Sequence, residues 1–296
     1  MDSPGILHTT EKSSPTEQLV YGRRPWLVPG EAPFLVKFFE ENGEEILLRH
    51  GESLPLGRKN TLYLIEEGLI ASVPLYQGGT SRLCGLFGPK TVLGLVMALR
   101  DSGDNHHSMA LSARALTNTR ALCISCFTFS EWFEQQPLSS KEEIYRNAIS
   151  KTESQLEGVF VNDLYPVAER LLWALAVLSD PQLDSASGEK TQDGWHTLAS
   201  GITLSDIANL THANREMVSR AFAEFQREGI VMRFGRRLRL KRGLVLERKE
   251  RNYRKRDDLI KGLTSWFARL GYALEGQVYC GKPALKCEFV WRQFPL

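Results

Sequence analysis

The stretch ITLSDIANLTHANREMVSRAFAEFQREGIVMRFGRRLRLKR, residues 202–242, constrains the chain more than any other. Thr203 stands where a helix needs an N-cap, and Asp206 can reach back to it, an approximate capping box. Ile207, Ala208 and Leu210 give that short helix its apolar side. A polar turn, 211–213, leads to Asn214, a second strong N-cap, and to a helix on which Val218, Phe222 and Phe225 share a face. Gly229 is placed as the glycine that ends a helix. IVMRFGRRLRLK then reads as a two-stranded hairpin turning near 234–236. Two short helices joined by a tight turn, with a basic hairpin behind them, form a winged helix-turn-helix.

Such a motif needs long polar side chains at the exposed start of its second helix, where base edges in a major groove come within reach. Arg215, Glu216, Ser219 and Arg220 occupy those positions. Arginine can pair twice with guanine, glutamate can accept from cytosine N4, and serine can serve a base or a phosphate. Thr203 and Asn214, at the two caps, are the further candidates there. Arg236 and Arg237, with Arg233, Arg239, Lys241 and Arg242, are expected to meet phosphates.

Charge supports this placement. The net charge is only +2, with 37 Lys plus Arg against 35 Asp plus Glu. Residues 233–256, however, hold 12 basic side chains and two acidic ones, or +10, which leaves about −9 for residues 1–232. Basic charge is thus gathered where a nucleic-acid reader needs it, and binding is expected to weaken steeply as salt rises.

Upstream the texture differs. Residues 1–18 are polar and aperiodic, a loose tail. From 19 to 135 short apolar runs alternate with glycine-rich breakers: FLVKFF, EILL, TLYLI, LIASVPLY, TVLGLVMAL and ALCIS against ENG, HGES, EEG, QGGT, FGPK and DSGDN. That punctuation predicts an antiparallel sandwich or roll. Residues 136–163 read as one long helix, with Ile144, Ala148, Ile149, Leu156, Val159 and Phe160 forming a narrow stripe that suits a two-helix seam. Pro166 then opens a helix, VAERLLWALAVL, and a polar loop over 179–201 leads into the winged domain, bounded as 164–246. Residues 247–296 begin as a basic segment and continue as an appendage with Cys280 and Cys287 on β-like runs. The fold class is therefore α+β. With 296 residues and 42% hydrophobic content there is room for about two domains. The longest apolar runs are too short to span a bilayer, no secretory leader is legible, and five cysteines suit reduced thiols, so a cytoplasmic location without membrane attachment is expected.

The β-rich domain, the long helix, PVAERLLWAL, and ITLSDIANLTHANREMVSRAFAEFQREGIV with GRRLRL together resemble the Crp/Fnr family of bacterial transcription regulators over roughly residues 30–242. LYLIEEGLI at 62–70, Phe87 to Pro89 followed by Gly94, and ARALTNTRALCIS fit that family's cyclic-nucleotide-binding-type jelly roll. The resemblance implies a homodimer along the long helix, a palindromic DNA operator, contact with RNA polymerase, and an effector bound by the roll. Glu216, Ser219 and Arg220 match the E-x-x-S-R of the Fnr branch, which implies a half-site containing TTGA or TGA.

Three departures matter. His212 stands where the family usually has glycine in its turn. Members that bind cyclic nucleotides carry glutamate after the glycine at 94, where this chain has Leu95, and their arginine position falls near Met109, so cAMP is not expected as effector. No cysteine precedes Cys84, so the N-terminal iron-sulfur cluster of Fnr-type members is not expected either. The expected chain has no cofactor and no metal site, and lacks any constellation for catalysis. Cys84, Cys123 and Cys126 remain candidates for an effector or redox role, although a C-x-x-C on one strand points its thiols to opposite faces. Gly85 to Thr91 lacks the glycine spacing of a phosphate loop, and His106 and His107 sit in a polar turn. The competing function is a scaffold whose winged domain has lost sequence reading and binds nucleic acid loosely or binds protein.

Overall fold

The computed structural model describes residues 24–55, 61–74, 82–99, 111–180, 183, 194–198, 201–234, 237–241, 243–245, 247–248, 251, 273–275 and 290–292. Arg24–Val245 form one compact unit. In the other unit, the described strands Ala273–Glu275 and Val290–Arg292 pair antiparallel. The predicted tail, His106, His107, Met109, Cys280 and Cys287 lie outside the described residues.

Eight strands build the predicted roll: β1 Glu44–Leu48, β2 Ser53–Pro55, β3 Thr61–Glu67, β4 Ile70–Pro74, β5 Gly85–Phe87, β6 Val92–Leu93, β7 Leu111–Ala115 and β8 Thr119–Ser125. They form two four-stranded sheets, β1-β8-β3-β6 and β2-β7-β4-β5, with antiparallel pairing throughout. β3 shows why its sequence is apolar without alternation, since both of its faces are covered. Tyr63 and Ile65 join Ile70, Phe87, Ala113 and Ala121 in one cluster, while Leu62 and Leu64 join a second.

That second cluster is built by helices, and here the strand reading of two apolar runs is corrected. FLVKFF belongs to helix α1, Pro33–Asn42, with proline in its first turn and Leu35, Phe38 and Phe39 buried at helical spacing. TVLGLVMAL divides at Gly94, whose φ of 86° ends β6 and starts a single helical turn, α2 Leu95–Ala98. Helix α3, Cys126–Glu134, follows β8 directly, and the Ser125 hydroxyl accepts from Thr128 N at 3.0 Å to cap it.

Helix α4 runs Leu138–Leu164, close to the predicted span. Its apolar residues make two stripes rather than the single one expected. Ile144 and Ala148, with Lys151, Gly158, Val161 and Asn162, are buried. Ile149, Leu156, Val159 and Phe160 stay exposed, as do Tyr145 and Leu164. Helix α5, Val167–Leu178, is buried continuously from Leu171 to Leu178. The loop reading of 179–201 needs one correction, because Trp195–Thr197 form strand β9, which pairs with the hairpin described below.

Candidate nucleic-acid interface

The caps read from sequence are made in full. In helix α6, Leu204–Leu210, the Thr203 hydroxyl accepts from Asp206 N at 3.1 Å, and Asp206 Oδ2 accepts from Thr203 N at 3.0 Å and from its hydroxyl at 2.7 Å. The Thr203 hydroxyl is thus engaged within its own helix. In helix α7, Arg215–Arg227, Asn214 Oδ1 accepts from Met217 N at 2.8 Å. Val218, Ala221, Phe222 and Phe225 are buried against the domain, which leaves Arg215, Glu216, Met217, Ser219 and Arg220 exposed on one continuous surface. Glu216 and Arg220 sit 3.9 Å apart and are over 80% exposed, so their pairing holds neither in place against a competing ligand. Gly229, with φ 71°, turns the chain out of α7.

The hairpin is β10 Val231–Phe234 and β11 Arg237–Lys241, extended by β9 into a three-stranded antiparallel sheet. Leu238 and Leu240 are buried, so strand alternation sends Arg239 and Lys241 to the opposite face. Arg233 is exposed on β10, and Arg237 opens β11 opposite Phe234. Arg236 and Arg242 lie outside the described residues.

Helix α7 packs on its neighbour α6, and that neighbour is anchored on the roll. Arg114 of β7 donates to Asp206 Oδ1 at 2.9 Å, and His50 Nε2 lies 3.8 Å from Oδ2. At the other end of α6, Leu83 N donates to Asn209 O at 3.3 Å and His212 Nε2 lies 3.4 Å from Leu83 O. Helices α4 and α5 add Asn162 to Leu210 O at 3.0 Å and Arg170 to Thr211 O at 3.3 Å. Nothing in the spacing announced these contacts, since Arg114 and Asp206 are 92 residues apart. Exposed Met217 also escaped the sequence reading, which looked for polar side chains.

His212 adopts the left-handed backbone expected of a glycine position, with φ 48°. Burial holds its pKa below the ordinary value of 6.5, with Arg82 and Arg170 pushing the same way and Leu83 O and Asp163 opposing. The unfolded chain therefore binds more protons than the folded one between the depressed pKa and 6.5, and stability falls with acidification through that window. In His212→Gly, relief of backbone strain and the entropic cost of glycine oppose each other, so unfolding free energies from urea titrations near pH 7 should agree to within about 1 kcal/mol. From pH 7 to pH 5 the wild type should lose stability relative to the variant. Parallel pH profiles would remove His212 as the cause.

The other candidates separate. Cys123 lies on β8, but Cys126 starts α3, which corrects the placing of both on one strand. Burial pushes the thiols of Cys84, Cys123 and Cys126 upward, so all three are protonated at neutral pH. Leu95 is buried in the core. Gly85 belongs to β5 rather than to a phosphate loop. Among the described residues no three His, Cys, Asp or Glu side chains are grouped as metal ligands, and no described helix is long and apolar enough to cross a membrane.

A family model described as a Crp-like helix-turn-helix domain matches residues 167–248. No curated protein matches the chain in sequence. Among solved structures, FixK2 from Bradyrhizobium japonicum is similar, at 18% identity and TM-score 0.56 over 70% of this chain and 96% of that one. TTHB099, a Crp-family transcriptional regulator from Thermus thermophilus, shares 21% identity at TM-score 0.53 over 69% and 95%. The c-di-GMP-responsive global regulator CLP from Xanthomonas campestris shares 16% at TM-score 0.54 over 71% and 99%. At these identities the structures speak for the fold, and the family model speaks for the domain that carries α6, α7 and the hairpin. Residues 167–248 are a Crp-like helix-turn-helix domain and Arg24–Val245 share the fold of Crp-family transcriptional regulators, which together support a DNA-binding transcription regulator.

Proposed function

We propose that the protein binds a palindromic operator as a homodimer joined along α4, with Arg215, Glu216, Ser219 and Arg220 reading bases and the hairpin cations meeting phosphates. The observation that carries this reading is the start of α7, where all four side chains are exposed while Asn214 caps the helix and Val218 and Phe222 root it in the core. The exposed row Tyr145, Ile149, Leu156 and Val159, in steps of four, seven and three, supports a two-helix seam. The half-site expected from E-x-x-S-R contains TTGA or TGA, and RNA polymerase is the partner through which the bound regulator acts, in the cytoplasm and without catalysis. The roll senses something other than cAMP, since the residue in place of the ribose-gripping glutamate is a buried leucine. No metal or iron-sulfur cofactor enters this reading.

Selection of the full chain against random duplexes, followed by footprinting, tests the proposal. A protected palindrome of about two helical turns is expected. Glu216→Ala and Arg220→Ala should each weaken binding to the selected site by about tenfold to a hundredfold while circular dichroism stays unchanged. Binding that is unaffected in both would remove these roles. Salt-labile binding equal on all sequences would favour the scaffold reading instead.

A further inference from the structure

Met217 has no place in the polar reading of α7, yet it sits at the third position of the helix, 45% exposed. Among the residues after Leu164 whose side-chain exposure is described, it is the one large apolar side chain exposed to this degree. Its position is not an accident of a frayed end, because its own N–H is held by the Asn214 cap at 2.8 Å. The first turn of a helix favours acidic or polar side chains, which complement the unpaired N–H groups and the dipole. An apolar side chain gains nothing from water there.

Helical geometry shows what it can gain. Glu216, Ser219 and Arg220 define the outward face, and Val218, Ala221 and Phe222 the buried one. Met217 lies on the flank between them, one turn from Arg220 and next to Asn214. Side chains on a helix tilt toward its N-terminus, so Met217 covers the leading turn, the part of a recognition helix that reaches base edges. The one apolar feature in the major groove is the 5-methyl group of thymine. A flexible, polarisable thioether suits contact with such a group.

We propose that Met217 reads thymine, packing on the 5-methyl group of one thymine in each half-site. This rests on the operator-binding reading above, and the test keeps the two apart. With the full chain and the duplex recovered by selection, each thymine is replaced in turn by uracil, which removes the methyl group and leaves the hydrogen-bonding edge unchanged. At one thymine per half-site the wild type should lose about fourfold in affinity, the worth of one buried methyl group. Met217→Ala should bind the thymine and uracil duplexes equally, and Met217→Leu should keep the preference. A preferred site with no uracil-sensitive thymine, or a uracil penalty that persists in Met217→Ala, overturns the assignment while leaving operator binding intact. If selection enriches no sequence, the operator reading fails and Met217 falls with it.

Discussion

Lys151→Ala is expected to destabilise the protein by about 3–5 kcal/mol, read as a drop in the urea midpoint, because it strands a buried carboxylate. Lys151 is 3% exposed on the inner stripe of α4 and its ammonium contacts the Glu31 carboxylate, whose side chain is 1% exposed. The pair is stitched to β6 as well. Glu31 Oε1 accepts from Val92 N at 2.8 Å, and Lys151 donates to Val92 O at 3.2 Å. Burial pushes the Glu31 pKa up and the Lys151 pKa down, and for both residues it outweighs the pull of the partner charge. The two ions are tolerated only together. Removing one leaves the other buried with only a backbone hydrogen bond and no opposite charge, whereas Glu31→Leu with Lys151→Met removes both costs and should lie much closer to the wild type. A double variant as unstable as Lys151→Ala alone would mean that side-chain shape, not charge, matters at this junction.

The same junction shows which parts of the molecule were legible in the sequence. Caps, the left-handed turn residue and the closing glycine of the helix-turn-helix are local devices, decided within four residues, and Thr203, Asn214, His212 and Gly229 all act as expected. Strand β3 was legible because its apolar run lies between glycine-rich breakers. FLVKFF was not, because a short run of five apolar residues around Lys37 fits a buried strand and a helix face equally, and only packing against β8 and α3 decides. The two stripes of α4 merged in sequence for a related reason, since periodicity reports that a face is apolar but not what covers it. Trp26 illustrates the cost of that blindness. Its ring lies so close to Gly158 that a Cβ there would come within 2.2 Å of Trp26 Cδ1, which explains the one glycine in the helix. That reason is invisible from either residue alone. The anchors at Asp206 and His212 were hidden in the same way, since each joins segments far apart in the chain.

The outer stripe of α4 should respond in the opposite manner to the inner one. Leu156 is 50% exposed, and glutamate is a good helix former, so Leu156→Glu leaves the fold of one chain unchanged, with the same far-ultraviolet spectrum and urea midpoint at low protein concentration. In a dimer related by a two-fold axis along α4, however, each copy of the substituted residue enters the seam, and like residues from the two chains approach one another. Two carboxylates in an apolar seam must be desolvated, held against mutual repulsion, or protonated. Each route costs several kcal/mol, so dimerisation should weaken by about a hundredfold or more, with light scattering reporting half the wild-type mass. Operator affinity should fall with it, because a single winged domain keeps only half of the base contacts and phosphate contacts. Protonation supplies a signature that mere misfolding lacks: lowering the pH toward 5 should partly restore the Leu156→Glu dimer. An undiminished dimer in this variant would place the two-fold interface elsewhere and leave the exposed row of α4 without that role.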